Sequence, residues 1–147
     1  MVSNILKLKK LRLKIKKNYS IGTWLQIPNS SVAEILGYSG FDWVTIDLEH
    51  GSISIERLPD LCRAIELGGS LPFARVFSSR VEENARLLDA GITGLIFSKI
   101  ENAQTLKELI ESSLLPKLGK RGIGFSKANN FGNNLESSIK LFRPFIV

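Results

Sequence analysis

The chain has 147 residues, enough for one domain with a hydrophobic core, and its hydrophobic content of 44% argues against wholesale disorder. A single cysteine excludes an internal disulfide, and we predict a reducing, cytoplasmic location. Cys62 falls on the apolar side of a predicted helix and is expected to be buried. The sequence shows no apolar stretch long enough for a secretory signal, and we predict no membrane span.

The net charge of +6 comes from one end of the chain. Residues 1–17 hold seven of the 20 basic residues and no acidic residue: Lys7, Lys9, Lys10, Arg12, Lys14, Lys16 and Lys17. The rest of the chain carries the other 13 basic residues against 14 acidic ones, a net charge of −1. Because the body of the chain is nearly neutral, we predict no nucleic-acid partner.

Residues 1–21 form a basic N-terminal arm whose structure is ambiguous from sequence. Leu8, Leu11 and Ile15 follow a helical spacing, whereas Leu11, Leu13 and Ile15 also alternate. The favoured interpretation is a short helix that caps the domain and directs its lysines to water. The alternative is a basic amphipathic helix that binds a membrane or nucleic acid.

From residue 22 onward, apolar strands alternate with amphipathic helices. Strands are predicted at 23–27, 43–46, 73–76, 95–97 and from residue 144. Helices are predicted up to residue 38, at 55–66, at 81–89, from 103 to about 115 and at 135–142, with a loop at 117–134. Ser31 and Glu34 match a capping box, and Asn102 is a candidate cap for the fourth of these helices.

This alternation predicts an α/β fold with a parallel sheet covered by helices. A doubly wound open sheet and a (β/α)₈ barrel both fit. No Gly-x-Gly-x-x-Gly follows the first strand, which weakens a dinucleotide-binding interpretation. The sequence stops at the start of a fifth strand, whereas a full barrel needs roughly 250 residues. We therefore predict that residues 22–147 form a partial (β/α)₈ TIM barrel, about four βα units plus the start of strand five.

Chemically active side chains cluster where the predicted strands end. The second strand runs directly into Asp47, Glu49 and His50, the only histidine. The ends of parallel strands share one rim, which is where α/β proteins place their active sites. The other strand ends add Gln26, Arg75, Ser98 and Lys99 to the same predicted rim.

Each candidate role has a plainer alternative. Asp47 could fix the tautomer of His50 and leave the second ring nitrogen as a base, or it could cap the segment that follows. Arg75 lies in an apolar strand, where a forked donor could hold a substrate carboxylate or enolate oxygen. Its alternative is a salt bridge to Asp47 or Glu49. Glu49 itself could contact a cation through water or could simply be solvated.

Three further side chains are assigned less prominent roles. Lys99 could in principle form a Schiff base with a carbonyl substrate, but nothing in the sequence around it indicates a desolvated amine. Trp24 and Trp43 are most simply explained as core residues.

Seven short motifs follow one another between residues 22 and 147: Gly22-Thr23-Trp24, Gly40-Phe41-Asp42-Trp43-Val44, Asp47-Leu48-Glu49-His50-Gly51, Ala74-Arg75-Val76, Leu88-Asp89-Ala90-Gly91, Lys120-Arg121-Gly122-Ile123-Gly124 and Phe131-Gly132. Each motif is weak alone, but the set in this order is specific. With these motifs, the sequence from residue 22 to 147 resembles the HpcH/HpaI aldolase family.

The resemblance implies a metal-dependent aldolase on a (β/α)₈ barrel that cleaves 2-keto-4-hydroxy acids to pyruvate and an aldehyde. Family members include 2-keto-3-deoxyglucarate aldolase and 4-hydroxy-2-oxoheptanedioate aldolase. By resemblance, His50 with Asp47 acts as the acid/base, and Arg75 with Gln26 binds substrate. Glu49 would lie near a divalent metal, Mg²⁺ or Mn²⁺, through water. A homo-oligomer is also expected.

The sequence departs from the family in two places. Ser98 stands where the family usually has proline. The family's two metal-ligating carboxylates would fall beyond residue 147, so this chain would supply the base and the arginine without a direct metal ligand. We expect this chain to be the N-terminal part of a class II aldolase and to show little activity on its own. The alternative is a non-catalytic relic or partner-binding module.

Overall fold

The computed structural model describes residues 2–77 and 81–147, with the side chains of residues 4–76 and 81–147. The strands are β1 Gly22–Leu25, β2 Trp43–Asp47, β3 Leu71–Phe77, β4 Gly94–Ser98 and β5 Phe145–Ile146. The helices are α1 Val2–Lys17, α2 Ser30–Tyr38, α3 Leu58–Gly68, α4 Asn84–Ala90, α5 Ala103–Ser113 and α6 Leu135–Leu141. Single 3₁₀ turns lie at Ile55–Arg57, Val81–Glu83 and Lys127–Asn129.

The order of the strands decides between the two predicted architectures. In the described ranges, all five strands pair in parallel, in the order β1-β2-β3-β4-β5. A doubly wound sheet reverses its strand order at a switch point, whereas a (β/α)₈ barrel adds each strand beside the previous one. The predicted partial (β/α)₈ barrel is therefore confirmed.

The two faces of the sheet are filled differently. One face packs against the helices through buried aliphatic residues such as Val44, Ile46, Ala74, Val76 and Leu95. The opposite face, called the inner face below, carries an aromatic stack. The ring centroids of Trp43 and Phe73 lie 5.6 Å apart, and those of Phe73 and Phe145 lie 5.8 Å apart. The stack fills the inner face near the starts of the strands.

Helix α1 covers the end of the sheet where the strands begin. Ile5, Leu8 and Leu11 are buried in the common core, whereas Ile15 is exposed. Nη2 of Arg12 donates to the carbonyl oxygens of Arg143, 2.6 Å away, and of Pro144, 3.2 Å away, just before β5. The favoured interpretation of a capping helix is confirmed, because the apolar side of α1 is used inside the fold. No helix in the two described ranges has the length and hydropathy needed to cross a bilayer.

The start of α2 differs from the sequence-based prediction. Its N-cap is Asn29, whose Oδ1 accepts the backbone N–H groups of Ser31 at 2.9 Å and Val32 at 3.1 Å. The predicted capping box from Ser31 is therefore wrong, since Ser31 already lies inside the helix. The predicted cap by Asn102 is confirmed by its hydrogen bond from the Thr105 N–H, 2.8 Å long.

Strand and helix limits also shift by a few residues. β1 ends at Leu25 rather than at residue 27, and β3 extends two residues earlier than predicted. The predicted helix starts at residues 55 and 81 are 3₁₀ turns that lead into α3 and α4. Cys62 is fully buried, as predicted, and desolvation raises the pKa of its thiol to about 12.

Helices α2 and α3 touch backbone to backbone at two glycines. A Cβ built on Gly68 would overlap the backbone of Gly37 and Tyr38, and one on Gly37 would overlap the backbone of Ile65 and Gly68. Any side chain at these positions would force the helices apart, and α3 packs on the β-strands that carry the site described below.

We expect Gly68→Ala to lower the free energy of unfolding by about 2 kcal/mol, because the new methyl group meets backbone atoms that cannot move aside cheaply. Gly122→Ala is the matched control, since a Cβ at Gly122 would meet open space. Chemical denaturation monitored by circular dichroism measures both. Equal stability of the two variants would show that the α2–α3 contact is not as close as described.

Candidate active site at the carboxyl ends of the strands

The site is organised around an ion pair between neighbouring strands. Asp47 is the last residue of β2 and is fully buried, and Arg75 lies opposite it in the parallel register of β3. Nε of Arg75 donates to Oδ1 of Asp47 at 3.0 Å, and Nη2 donates to Oδ2 at 2.6 Å. This fork is the strongest geometry available to an arginine and a carboxylate, and it fixes the guanidinium in one plane.

Three more donors complete the surroundings of Asp47. Nε2 of Gln26 donates to Oδ2 at 2.7 Å, and the backbone N–H groups of Glu49 and His50 both donate to Oδ1 at 3.1 Å. Burial alone would raise the pKa of Asp47, but the hydrogen bonds from Arg75, Gln26 and the two backbone groups outweigh it. The pKa of Asp47 therefore lies well below its usual range, and the carboxylate is ionised at neutral pH.

Trp24 holds the other side of the arginine. The centroid of its ring lies 4.7 Å from the guanidinium carbon of Arg75, so the cation lies over an aromatic face while its N–H groups bind the Asp47 carboxylate. Trp24 is 45% exposed, and its prediction as a core residue is wrong. The alternation of side chains along a strand could have predicted this position. It places Trp24 on the same side of the chain as Gln26, a residue of the predicted rim.

Glu49 is the second carboxylate of the site, and its side chain is only 2% exposed. Three cationic or titratable groups surround it. Its oxygens lie 3.5 Å from Nε of Arg75, 3.7 Å from Nε2 of His50 and 3.8 Å from Nζ of Lys99. The alternative that Glu49 is merely solvated is therefore wrong, since the carboxylate is buried beside the cations of Arg75 and Lys99.

His50 projects outward, with its side chain 60% exposed. The structure corrects its predicted pairing with Asp47. The hydrogen bond between them comes from the backbone N–H of His50, and the imidazole lies beside Glu49 instead. The physical reason is that both Asp47 oxygens already accept side-chain donors, and the turn after β2 directs backbone N–H groups at them. Asp47 thus also plays the capping role considered as its alternative.

The end of β4 supplies the last two candidates. Oγ of Ser98 donates to the carbonyl oxygen of Val76 at 3.2 Å, so this hydroxyl is used in the sheet. Lys99 follows directly, with a backbone φ of 55° and a side chain that is 68% exposed. The predicted rim is therefore assembled from Gln26, Asp47, Glu49, His50, Arg75 and Lys99.

The residues of this site do not fit a divalent cation on their own. Within the described ranges, no group of three or more His, Cys, Asp or Glu side chains is arranged to hold a metal ion. The oxygens of Asp47 face N–H donors, and those of Glu49 face basic side chains. A cation needs oxygen lone pairs that are not already directed at positive groups.

The comparison with known families agrees with this fold. Residues 20–140 match the family described as HpcH/HpaI aldolase/citrate lyase. The chain belongs to this family. The match covers the four strands β1 to β4 and every residue of the strand-end site, which confirms the resemblance predicted from the motifs.

Several aldolases are similar to the chain over most of its length. The 2-dehydro-3,6-dideoxy-6-sulfogluconate aldolase of Pseudomonas putida is 33% identical over 118 residues, 80% of this chain and 46% of that protein. The hydroxypyruvate/pyruvate aldolase of Roseobacter denitrificans is 34% identical over 113 residues, 76% of this chain and 44% of that protein. The chain therefore spans about half the length of the curated relatives it matches.

A solved structure is likewise similar to most of this chain, which again matches only about half of the larger protein. The crystal structure of an HpcH/HpaI aldolase/citrate lyase family protein from Burkholderia cenocepacia superposes with a TM-score of 0.80 at 26% identity. The superposition covers 90% of this chain and 55% of that one. The five strands and their helices thus correspond to a portion of the family's barrel.

We expect Asp47→Asn to lower the free energy of unfolding at pH 7 by about 2 kcal/mol, less than a fully buried pair would lose, because Arg75 remains partly exposed. The pKa of Asp47 is lowered by folding, so its ionised form stabilises the fold above the unfolded-chain value of about 4. This stabilisation is lost as the pH falls from there towards the lowered pKa of the folded state. The difference in free energy of unfolding between the parent protein and Asp47→Asn should therefore become smaller below about pH 4.

Asp60→Asn is the matched control, because Asp60 forms an exposed pair with Arg63, 2.8 Å long. It should change stability by less than about 1 kcal/mol at any pH. Denaturation in a series of buffers from pH 7 to pH 2 makes the comparison. If the difference in free energy of unfolding between the parent protein and Asp47→Asn stayed constant over this pH series, the lowered pKa assigned to Asp47 would be contradicted.

Proposed function

We propose that this chain carries the acid/base and oxyanion-binding side of a class II aldolase site. The reaction is cleavage of a 2-keto-4-hydroxy acid to pyruvate and an aldehyde, and the reverse condensation. The observation that supports it is the forked and stacked Arg75 beside an exposed imidazole, in a chain that belongs to an aldolase family. Residues 22–147 would be the catalytic portion and residues 1–21 an arm.

Arg75 is suited to bind the oxygen of a keto acid. A guanidinium has five N–H donors, and the fork to Asp47 uses two of them. The hydrogen bonds to Asp47 also raise the pKa of Arg75, so the group stays cationic. Its side chain is 25% exposed, which leaves the cation in reach of a carboxylate or a developing enolate oxygen. Gln26, the second proposed substrate-binding residue, borders this position.

His50 is suited to move the proton. In cleavage, its imidazole would take the proton from the C4 hydroxyl group while the C3–C4 bond breaks. The bonding electrons pass through C2 to the keto oxygen and give an enolate, which Arg75 stabilises. Protonation of C3 then yields pyruvate. Glu49, 3.7 Å from Nε2 of His50, would stabilise the imidazolium formed when the ring takes up the proton.

The remaining expectations stay predictions. A divalent cation, Mg²⁺ or Mn²⁺, is expected to complete the activity, with its direct ligands contributed from outside residues 1–147. Homo-oligomers and a cytoplasmic location are likewise predicted. The second candidate function, a non-catalytic partner-binding module, is favoured by one observation: the described carboxylates do not form a metal site by themselves.

We expect His50→Ala to lower pyruvate release about 100- to 10,000-fold, the usual range for losing a general acid/base. Arg75→Ala should cost about 100- to 1,000-fold, as for loss of an oxyanion donor. The polypeptide tested is whichever one shows activity, this chain or a longer protein that contains it. Coupled oxidation of NADH by lactate dehydrogenase measures the pyruvate.

Two controls separate chemistry from folding in this experiment. Arg63→Ala removes an exposed arginine of α3 and should leave the rate unchanged. Arg75→Lys keeps the positive charge beside Asp47 but loses the fork, so it should fold and yet remain far slower than the parent protein. Unchanged pyruvate release in folded His50→Ala and Arg75→Ala variants would refute the proposed site.

We expect a chelator to abolish the activity and added Mg²⁺ or Mn²⁺ to restore it. Borohydride added with pyruvate should leave no covalent adduct on Lys99, because this exposed amine beside Glu49 lacks the apolar surroundings that activate Schiff-base lysines. Mass spectrometry of the treated protein reads out the adduct. Trapping at Lys99, with indifference to chelator, would replace the metal-dependent proposal with a Schiff-base mechanism.

A further inference from the structure

We propose that the solvent-facing side of helix α1 docks onto the surface of a membrane that contains acidic phospholipids. This side, called the basic face below, consists of Leu6, Lys9, Lys10, Leu13, Lys16 and Lys17. Its lysines would contact lipid phosphate groups, and its leucines would enter the layer between headgroups and acyl chains. This docking is independent of the function proposed above.

The basic face is a continuous strip along one side of α1. At about 3.6 residues per turn, its residues lie within about one third of the circumference of the helix. All of them are exposed, whereas Leu8 and Leu11, on the opposite side, are buried in the core. The packing of α1 against the domain therefore uses one side of the helix and leaves the basic face in contact with solvent.

The charge of this face is positive and is not balanced nearby. The first acidic residue in the chain is Glu34. Within the described residues, Lys14 alone among the lysines of α1 forms an ion pair, with Asp42 at 2.7 Å, and Lys14 does not belong to the basic face. Clusters of about four to eight Lys or Arg residues are typical of segments that bind acidic lipid surfaces. The basic face carries such a cluster.

The stability of the helix does not explain these lysines. Side chains three or four positions apart are neighbours on a helix, and like charges at that spacing are unfavourable. The series Lys7, Lys10, Lys14 and Lys17 has this spacing. Lysines of the last turn interact favourably with the helix dipole, but Lys9 and Lys10 lie in the middle of α1 and gain little from it. A negative surface outside the protein would offset the repulsion among them.

The exposed leucines favour a membrane over a nucleic acid as the partner. Leu6 is 53% exposed and Leu13 is 59% exposed, two turns apart on the basic face. A nucleic-acid backbone is bound through its phosphates and offers little to an aliphatic side chain, whereas the membrane interface accommodates lysines and leucines together. Arg12, the arginine of α1, is bound to main-chain carbonyl groups within the fold.

The basic face lies away from the candidate active site. Helix α1 covers the end of the sheet where the strands begin, with Arg12 bound just before β5 and Lys14 bound to Asp42 just before β2. The candidate active site lies where the strands end. A membrane on the basic face would therefore leave the mouth of the barrel open to solvent, so docking would place the protein at a membrane without covering that site.

The test measures binding to lipid vesicles by cosedimentation. The full 147-residue chain, or a longer protein that contains it, is mixed with vesicles of phosphatidylcholine alone or of phosphatidylcholine and phosphatidylserine in equal parts. We expect binding only where the acidic lipid is present, and weaker binding as the salt concentration rises. Replacing all four lysines of the basic face by glutamine should weaken binding more than about 100-fold, since each lysine contributes roughly fivefold.

Two further variants separate the basic face from total charge and from folding. Lys107→Gln, Lys117→Gln, Lys120→Gln and Lys140→Gln together remove the same charge from exposed positions outside α1 and should leave binding nearly unchanged. Leu6→Gln with Leu13→Gln keeps every charge and should weaken binding about tenfold, because these side chains no longer enter the bilayer. Circular dichroism checks that each variant is folded.

The pattern of losses decides the outcome. Binding that requires acidic lipid, falls in both α1 variants and persists in the control variant supports the proposed docking. Absence of binding, equal binding to neutral vesicles, or an equal loss in the control variant would overturn it. Binding to double-stranded DNA that is as tight as binding to vesicles, and that is unaffected by the leucine replacements, would also overturn it in favour of a nucleic-acid partner. None of these outcomes bears on pyruvate release.

Discussion

The ion pair between Asp47 and Arg75 is the interaction on which the candidate site depends. It joins β2 to β3, and it also brings in Trp24 of β1, Gln26 just after β1 and the turn after β2. A buried carboxylate is costly unless donors surround it, and five N–H groups meet that requirement here. The same arrangement holds the guanidinium in one plane at the mouth of the barrel and sets the course of the loop that bears His50.

Much of the fold and of the candidate site could be predicted from the sequence, because the patterns that indicate them lie within short stretches of the chain. Apolar strands, the cap at Asn102 and the position of Arg75 within an apolar run needed only neighbouring residues. The prediction of a barrel rather than an open sheet rested on the missing glycine motif and on the length of chain that a full barrel needs. The strand order then confirmed it with one observation.

The errors concern contacts between segments far apart in the chain. The imidazole of His50 lies beside Glu49 because Arg75 and Gln26 already occupy Asp47, and these partners come from other strands. Trp24 is exposed because it stacks on a cation of β3 rather than on the core. The cap at Asn29 is an error of the opposite kind, because it concerns residues close together in the chain. Asn29 and Ser31 are both polar candidates for the N-cap, and only Asn29 has the extended backbone that capping requires.

The docking of α1 has a consequence for how the chain folds. Arg12 reaches carbonyl groups that lie 131 and 132 residues later, and its guanidinium stands 5.5 Å from the ring of Phe145. Contacts of such sequence separation form slowly, because a long loop must close before they can be made. Helix α1, which is synthesised before β5, therefore acquires these partners only after β5 is synthesised. Until then, Arg12 lacks these partners and α1 is attached to the fold less completely, and a chaperone would be most useful during that interval.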